Sequence, residues 1–118
     1  MLKDAQGFKH IYVATGKTDL RYGIRGLLVI IKGEFGLDPF ESGDIFLFCG
    51  GKRNAIKALV LEDVGFVLMT KKLFNGRYQW PRDSREAKEI NEKQFRDLMD
   101  GFAIEYHSTI KKVKPLYI

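Results

Sequence analysis

Lys71 and Lys72 stand side by side, Arg77 and Arg82 follow, and Lys52, Arg53 and Lys57 precede them. Clustered cations of this kind do one thing well. They neutralise phosphates along a nucleic-acid backbone and release its condensed counterions. The chain carries a net charge of +5, and its distribution is uneven. From Lys52 to Lys88 nine Lys/Arg face four Asp/Glu, whereas the other residues hold eleven of each sign. All the surplus positive charge therefore lies in that stretch. A solvated basic face would look the same in one dimension, so the charge is suggestive of nucleic acid without being specific to it.

Other chemistries find less support. Strand transfer through two metal ions needs carboxylates gathered around ions about 4 Å apart, and the acids here are scattered. Asp19 and Asp38 suit capping and turn positions. His10 and His107 lack partners at metal-ligand spacing, and Cys49, the single cysteine, lies in an apolar run where an inert buried thiol is the default. Thr15-Gly16-Lys17-Thr18 resembles the end of a phosphate-binding loop, but Ile11 stands where the first glycine of that motif belongs. The reading is of a non-enzyme with no metal, no cofactor and no small-molecule substrate.

The elements that would position these cations follow from periodicity and punctuation. Ile11–Ala14 reads as a strand ending at Gly16. A helix capped by Thr18 or Asp19 places Leu20, Ile24, Leu27, Leu28, Ile31 and Phe35 on one face and stops at Gly36. Arg21 and Arg25, one turn apart, form a second basic pair off that face. After a turn at 37–40, Asp44–Cys49 reads as a central strand. Lys52 and Arg53 project from the loop that follows. Residues 56–61 and 66–72 form a hairpin turning at Glu62-Asp63-Val64-Gly65. A short strand is expected at 76–80, then a charged linker at 82–89. Asn91 with Gln94, and Ile90 with Phe95, predict a capping box and hydrophobic staple opening a second helix.

Tyr78 and Trp80 flank Gln79 and should share a side. They suit either base stacking or the core, and large aromatics favour the core.

The order β-α-β-β-β-(β)-α, with short turns between consecutive strands, predicts an α+β fold. Its sheet is mainly antiparallel and four- to five-stranded, with two helices on one face. The 118 residues suit a single domain, with a core at about 8–102 and a tail at 103–118. No apolar run reaches the ~20 residues of a membrane span. With one cysteine and no apolar leader at residues 1–7, the reading is a soluble, cytoplasmic protein.

Several strings are also familiar together. They are Ile11-Tyr12-Val13-Ala14-Thr15-Gly16-Lys17-Thr18-Asp19-Leu20-Arg21-Tyr22-Gly23 followed by Gly26-Leu27, Gly36-Leu37-Asp38-Pro39-Phe40, Ile45-Phe46-Leu47-Phe48-Cys49-Gly50, Ile56-Lys57-Ala58-Leu59, and Lys72-Leu73 through Gly76-Arg77-Tyr78-Gln79-Trp80-Pro81. In this order they resemble the small accessory proteins, called TnpB, of IS-sixty-six-type insertion sequences, over roughly residues 8–102. These are distinct from the larger RNA-guided nucleases that share the label. The chain departs from the family pattern at Gly50-Gly51-Lys52-Arg53, where more arginines are usual, and at Val60 and Leu61, where tryptophan is common. The resemblance implies a role in transposition beside a separate transposase, with a sister accessory protein as a further partner.

Two functions follow. One is a DNA-binding accessory protein that contacts transposon ends through Lys52, Arg53, Lys57, Lys71, Lys72, Arg77 and Arg82, with Arg21 and Arg25 as a second set. The other is a protein-interaction module that touches the transposase without DNA, through an apolar patch around Tyr78, Trp80 and Leu116-Tyr117-Ile118.

Overall fold

All six residues of Asp44–Cys49 are buried, so this strand must have neighbours on both edges and cover on both faces. A computed structural model of the chain, which describes residues 7–41 and 43–104, shows how that cover is arranged. The strands are β1 (His10–Ala14), β2 (Asp44–Cys49), β3 (Ala55–Glu62), β4 (Gly65–Lys72) and β5 (Ala87–Ile90). They form one sheet in the order β4-β3-β2-β1-β5. Only β1 and β2 run parallel, and the other three pairings are antiparallel. The fold is α+β, with a mixed, mostly antiparallel sheet.

A parallel pair requires a crossover, because a tight turn cannot reverse the chain twice. The crossover contains α1 (Ile24–Val29), which widens into a π-helical turn over Ile30–Glu34. There the amide of Phe35 donates to the carbonyl of Ile30 at 3.1 Å. Gly36 then leaves the helix at φ 65°, a conformation that costs glycine no side-chain clash. The helix starts later than its apolar spacing predicts. Asp19 accepts hydrogen bonds from the backbone amide of Arg21 and from its guanidinium, so it builds a local turn. The N-cap is instead Gly23, which offers no side-chain bond.

The two faces of the sheet have separate cores. Tyr12, Ala14, Phe46, Phe48 and Leu59 pack beneath Leu27, Ile30 and Ile31 of the crossover. Ile11, Val13, Ile45, Leu47, Cys49, Ile56, Ala58 and Val60 pack on the other side against Tyr78, Trp80 and the residues Phe95, Leu98 and Met99 of α2 (Glu92–Met99). The helices therefore cover opposite faces, which corrects the one-face arrangement expected from the sequence. The near-continuous apolar run of β2 demands cover on both sides, so each face needs a helix of its own.

The fifth strand is also not where composition places it. Residues 76–80 join no ladder, while the charged stretch expected to be a linker supplies β5, paired antiparallel with β1 from Ile11↔Ile90 to Ala14↔Ala87. An edge strand with one solvated face can be polar, so Lys88 and Glu89 do not prevent pairing. The capping box at α2 is present: the Asn91 side chain accepts from the Gln94 amide, and the Gln94 side chain accepts from the Asn91 amide, both at 2.8 Å. Ile90 and Phe95, the staple pair, are buried in the same core. The tail expected at 103–118 lies, beyond residue 104, outside the described residues.

Candidate nucleic-acid interface

The strand directions decide which loops meet. β1, β2 and β4 end where β3 and β5 begin, so the connections 15–23, 50–54 and 73–86 all lie at one end of the sheet. Those three segments hold Lys17, Arg21, Lys52, Arg53, Arg77, Arg82 and Arg85 against Asp19, Asp83 and Glu86. Lys71 and Lys72 end β4 on the same side. The opposite end of the sheet carries Glu41, Asp44, Glu62, Asp63, Glu89 and Glu92, with Lys9 and His10 among them. Charge is thus separated along the strand axis.

Backbone hydrogen bonds tie the three basic loops together. The Gly16 amide donates to the Pro81 carbonyl at 2.9 Å and the Thr18 amide to the Cys49 carbonyl at 2.8 Å. The Leu73 and Tyr78 amides donate to the carbonyls of Asn54 and Arg53, each at 2.7 Å. Thr15, fully buried, adds a side-chain anchor: its hydroxyl donates to the carbonyls of Ser84 and Glu86 and accepts from the Glu86 amide at 3.0 Å. The Arg82 guanidinium donates to the Gly50 carbonyl at 3.1 Å. Such mutual anchoring limits how far each cation can wander, which reduces the ordering cost of any contact it makes.

The cations within this end differ in their freedom. Gly51, Lys52, Arg53, Asn54, Gly76 and Arg77 line one shallow cleft. Arg53 also lines a second, with Gln79, Trp80, Pro81, Arg82 and Asp83. Arg53 adopts φ 61°, the single non-glycine residue with positive φ among those described, at the tip of the β2–β3 loop. Among the described residues no acid forms an ion pair with Lys52, Arg53, Arg77 or Arg82. Other cations are engaged. Arg21 pairs with Asp19 at 2.7 Å, and hydrogen bonding to the guanidinium lowers the Asp19 carboxyl to about 2. Arg85 pairs with Glu34 at 3.0 Å and also donates to the Lys17 carbonyl. Lys57 donates to the Tyr22 carbonyl at 2.8 Å, fastening the start of the crossover helix to β3. Arg25 is exposed in the first turn of α1.

Lys71 and Lys72 do not share a face. Lys71 pairs with Ile56, on the α2 side of the sheet, and Lys72 with Ala55, on the α1 side. Alternation along a strand requires this of any two neighbours. Lys17 and Arg85 belong to the basic end but were not among the residues singled out from the sequence. Their inclusion depends on strand direction, which no local motif reveals.

Tyr78 and Trp80 point to the same side, and that side is the core. They are 1% and 4% exposed, with ring centroids 6.3 Å apart in an edge arrangement. The Trp80 indole N–H donates to the Ala14 carbonyl at 2.8 Å. Burial pushes the Tyr78 phenol up to about 12 and the Cys49 thiol up to about 11. Neither ring has a free face, which corrects both the stacking role and the surface patch suggested for these aromatics. Leu116-Tyr117-Ile118, the rest of that patch, lies outside the described residues. Asp19, Glu34 and the pair Asp83 and Glu86 reach the basic end from three segments, and among the described residues no three His, Cys, Asp or Glu side chains gather as metal ligands would.

The fold and this end of it define a small α+β protein that presents tethered basic loops at one end of a mixed sheet. Residues 9–109 match the family described as IS66 Orf2 like protein, so the chain belongs to that family of transposition-associated accessory proteins. Two proteins of Sinorhizobium fredii (strain NBRC 101917 / NGR234) are similar to it. Uncharacterized protein y4hO is 32% identical over 101 residues, covering 86% of each chain. Uncharacterized protein y4jC is 29% identical over 101 residues, covering 86% of this chain and 85% of its own. No solved structure matches. No described helix is long and apolar enough to cross a membrane.

Proposed function

We propose that the chain is a non-catalytic, cytoplasmic accessory protein that binds the DNA backbone, at transposon ends, through the basic end of its sheet and so assists a separate transposase and a sister accessory protein of the same element. The observation that carries this reading is the convergence of Lys52, Arg53, Arg77 and Arg82 from two mutually bonded loops, with none of the four in an ion pair among the described residues. Lys17, Lys71, Lys72 and Arg85 extend the positive field on the same side, and Arg21 and Arg25 lie beside it. Lys57, occupied by the Tyr22 carbonyl, contributes charge more than contact. Contacts of this type position a protein on a duplex and leave sequence discrimination to groups that reach base edges.

The test is a mobility-shift titration on end-containing duplex at low and moderate salt. Binding should weaken steeply with salt, and Lys52→Glu with Arg77→Glu should lower affinity by about tenfold or more and flatten the salt slope, as loss of two phosphate contacts requires. Retention that ignores both salt and charge reversal would remove the proposal. Retention of the transposase after nuclease treatment, with no DNA bound at any salt, would favour the interaction module.

A further inference from the structure

β4 closes one side of the sheet, and nothing among the described residues pairs with its outer edge. It is eight residues long, has no proline, and is apolar from Phe66 to Met69. Edge strands are normally shortened, bulged or charged along their length to prevent further pairing. Here the lysines stand only at the end. The direction of the free groups follows from the hairpin. Glu62 and Gly65 close a two-residue turn and form a hydrogen-bonded pair, so Val67, Met69 and Lys71 also bond inward to β3. Phe66, Leu68, Thr70 and Lys72 therefore direct their amides and carbonyls outward.

Just outside the two ends of the strand lie Val64 and Phe74, 101% and 110% exposed, more so than any other large apolar side chain described. We propose that β4 pairs with β4 of a second copy of this chain, antiparallel and about a two-fold axis at Met69. That register sets Leu68 against the partner's Thr70 and Phe66 against the partner's Lys72, all residues with outward-facing groups. It also brings Val64 level with the partner's Phe74, covering both exposed side chains twice over. The pairing is isologous, as a closed dimer requires. Electrostatics favour it, since the basic end of each copy comes beside the acidic end of the other. The ten-stranded sheet that results carries its two basic ends on opposite sides.

Sedimentation or light scattering on the full chain should give twice the 13.6 kDa chain mass at high micromolar concentration. Thr70→Pro removes only an outward amide and should leave the circular dichroism of the monomer intact. Val64→Glu puts a charge where Phe74 must pack. Each should weaken dimerisation about tenfold or more, the equivalent of one lost contact of roughly 1.4 kcal/mol. The double variant Val64→Glu with Phe74→Lys should restore it, because each copy then supplies an ion pair in place of the apolar one. A wild-type chain of 13.6 kDa under these conditions overturns the proposal. So does a dimer insensitive to Thr70→Pro and Val64→Glu, or one that the double variant fails to restore. If Thr70→Pro unfolds, the Val64 and Phe74 variants, both at fully exposed positions, decide by themselves. DNA binding plays no part in this measurement, so its outcome is independent of the proposed function.

Discussion

The amide of Tyr78 donates to the carbonyl of Arg53 across 2.7 Å, joining the long β4–β5 connection to the β2–β3 loop at the residue whose φ is positive. One side of that bond is a buried core ring and the other a guanidinium with no ion pair among the described residues. Packing on the α2 side of the sheet is thereby transmitted directly to the geometry of the basic end.

A left-handed conformation costs a non-glycine residue about 1 kcal/mol, and glycine avoids that cost. Arg53→Gly should therefore leave thermal stability unchanged or raise it by up to about 1 kcal/mol in denaturant unfolding. The same variant removes a central cation and should weaken DNA retention. If stability fell by several kcal/mol instead, the guanidinium would have a structural role that its surroundings do not indicate.

The indole N–H of Trp80 is the donor to Ala14 at the end of β1. Trp80→Phe keeps a ring but strands a buried carbonyl, so unfolding stability should fall by about 1–3 kcal/mol. Trp80→Ala should cost about 3–5 kcal/mol by leaving a cavity. Whatever folded protein remains should bind DNA as the wild type does, because the ring is buried. A selective loss of binding at unchanged stability would restore the stacking role.

Asn91 and Gln94 bond reciprocally at the start of α2. Asn91→Ala breaks both the cap and its geometry and should lower stability by about 1 kcal/mol in chemical denaturation. Asn91→Gly, which keeps the extended backbone, should cost only a few tenths. Equal losses in the two variants would mean that the side-chain bond contributes little.

His10 and Glu89 meet at 2.7 Å across the β1–β5 pair. The hydrogen bond to Glu89 raises the imidazole above its usual 6.5. A group held charged in the folded state adds stability that is complete below its unfolded pKa and fades as pH rises through its folded value. The His10 ring protons should therefore titrate above 6.5 by NMR, and Glu89→Gln should return the midpoint to the ordinary range. An unchanged midpoint in that variant would mean the contact is not populated in solution.

Much of this architecture was legible without coordinates. Asp44–Cys49 read as a central strand because a nearly all-apolar run of that length needs cover on both faces. The hairpin that follows it was marked by composition and by the turn at Glu62-Asp63-Val64-Gly65. Asn91 and Gln94 announced α2 through local capping chemistry. The misplaced elements share a different cause. β5 holds a charged sequence that becomes a strand only because β1 offers an unpaired edge. The crossover helix starts late because Asp19 spends its carboxylate on Arg21.

The candidate site divides along the same line. Which residues are basic, and that their surplus lies between Lys52 and Lys88, is a property of the chain as written. So is the mutual exclusion of Lys71 and Lys72 from one face, since alternation follows from backbone geometry alone. That Lys17 and Arg85 join Lys52, Arg53, Arg77 and Arg82 at one end depended on the parallel pairing of β1 with β2, a contact between segments 34 residues apart from His10 to Asp44. The burial of Tyr78 and Trp80 was decided in the same way. Composition permitted a surface or a core, and α2 packing over the sheet chose the core. Local chemistry acts over a few residues and is written in order. Which loops become neighbours is settled by the free energy of burying both faces of one sheet, and that exists only once the chain has folded.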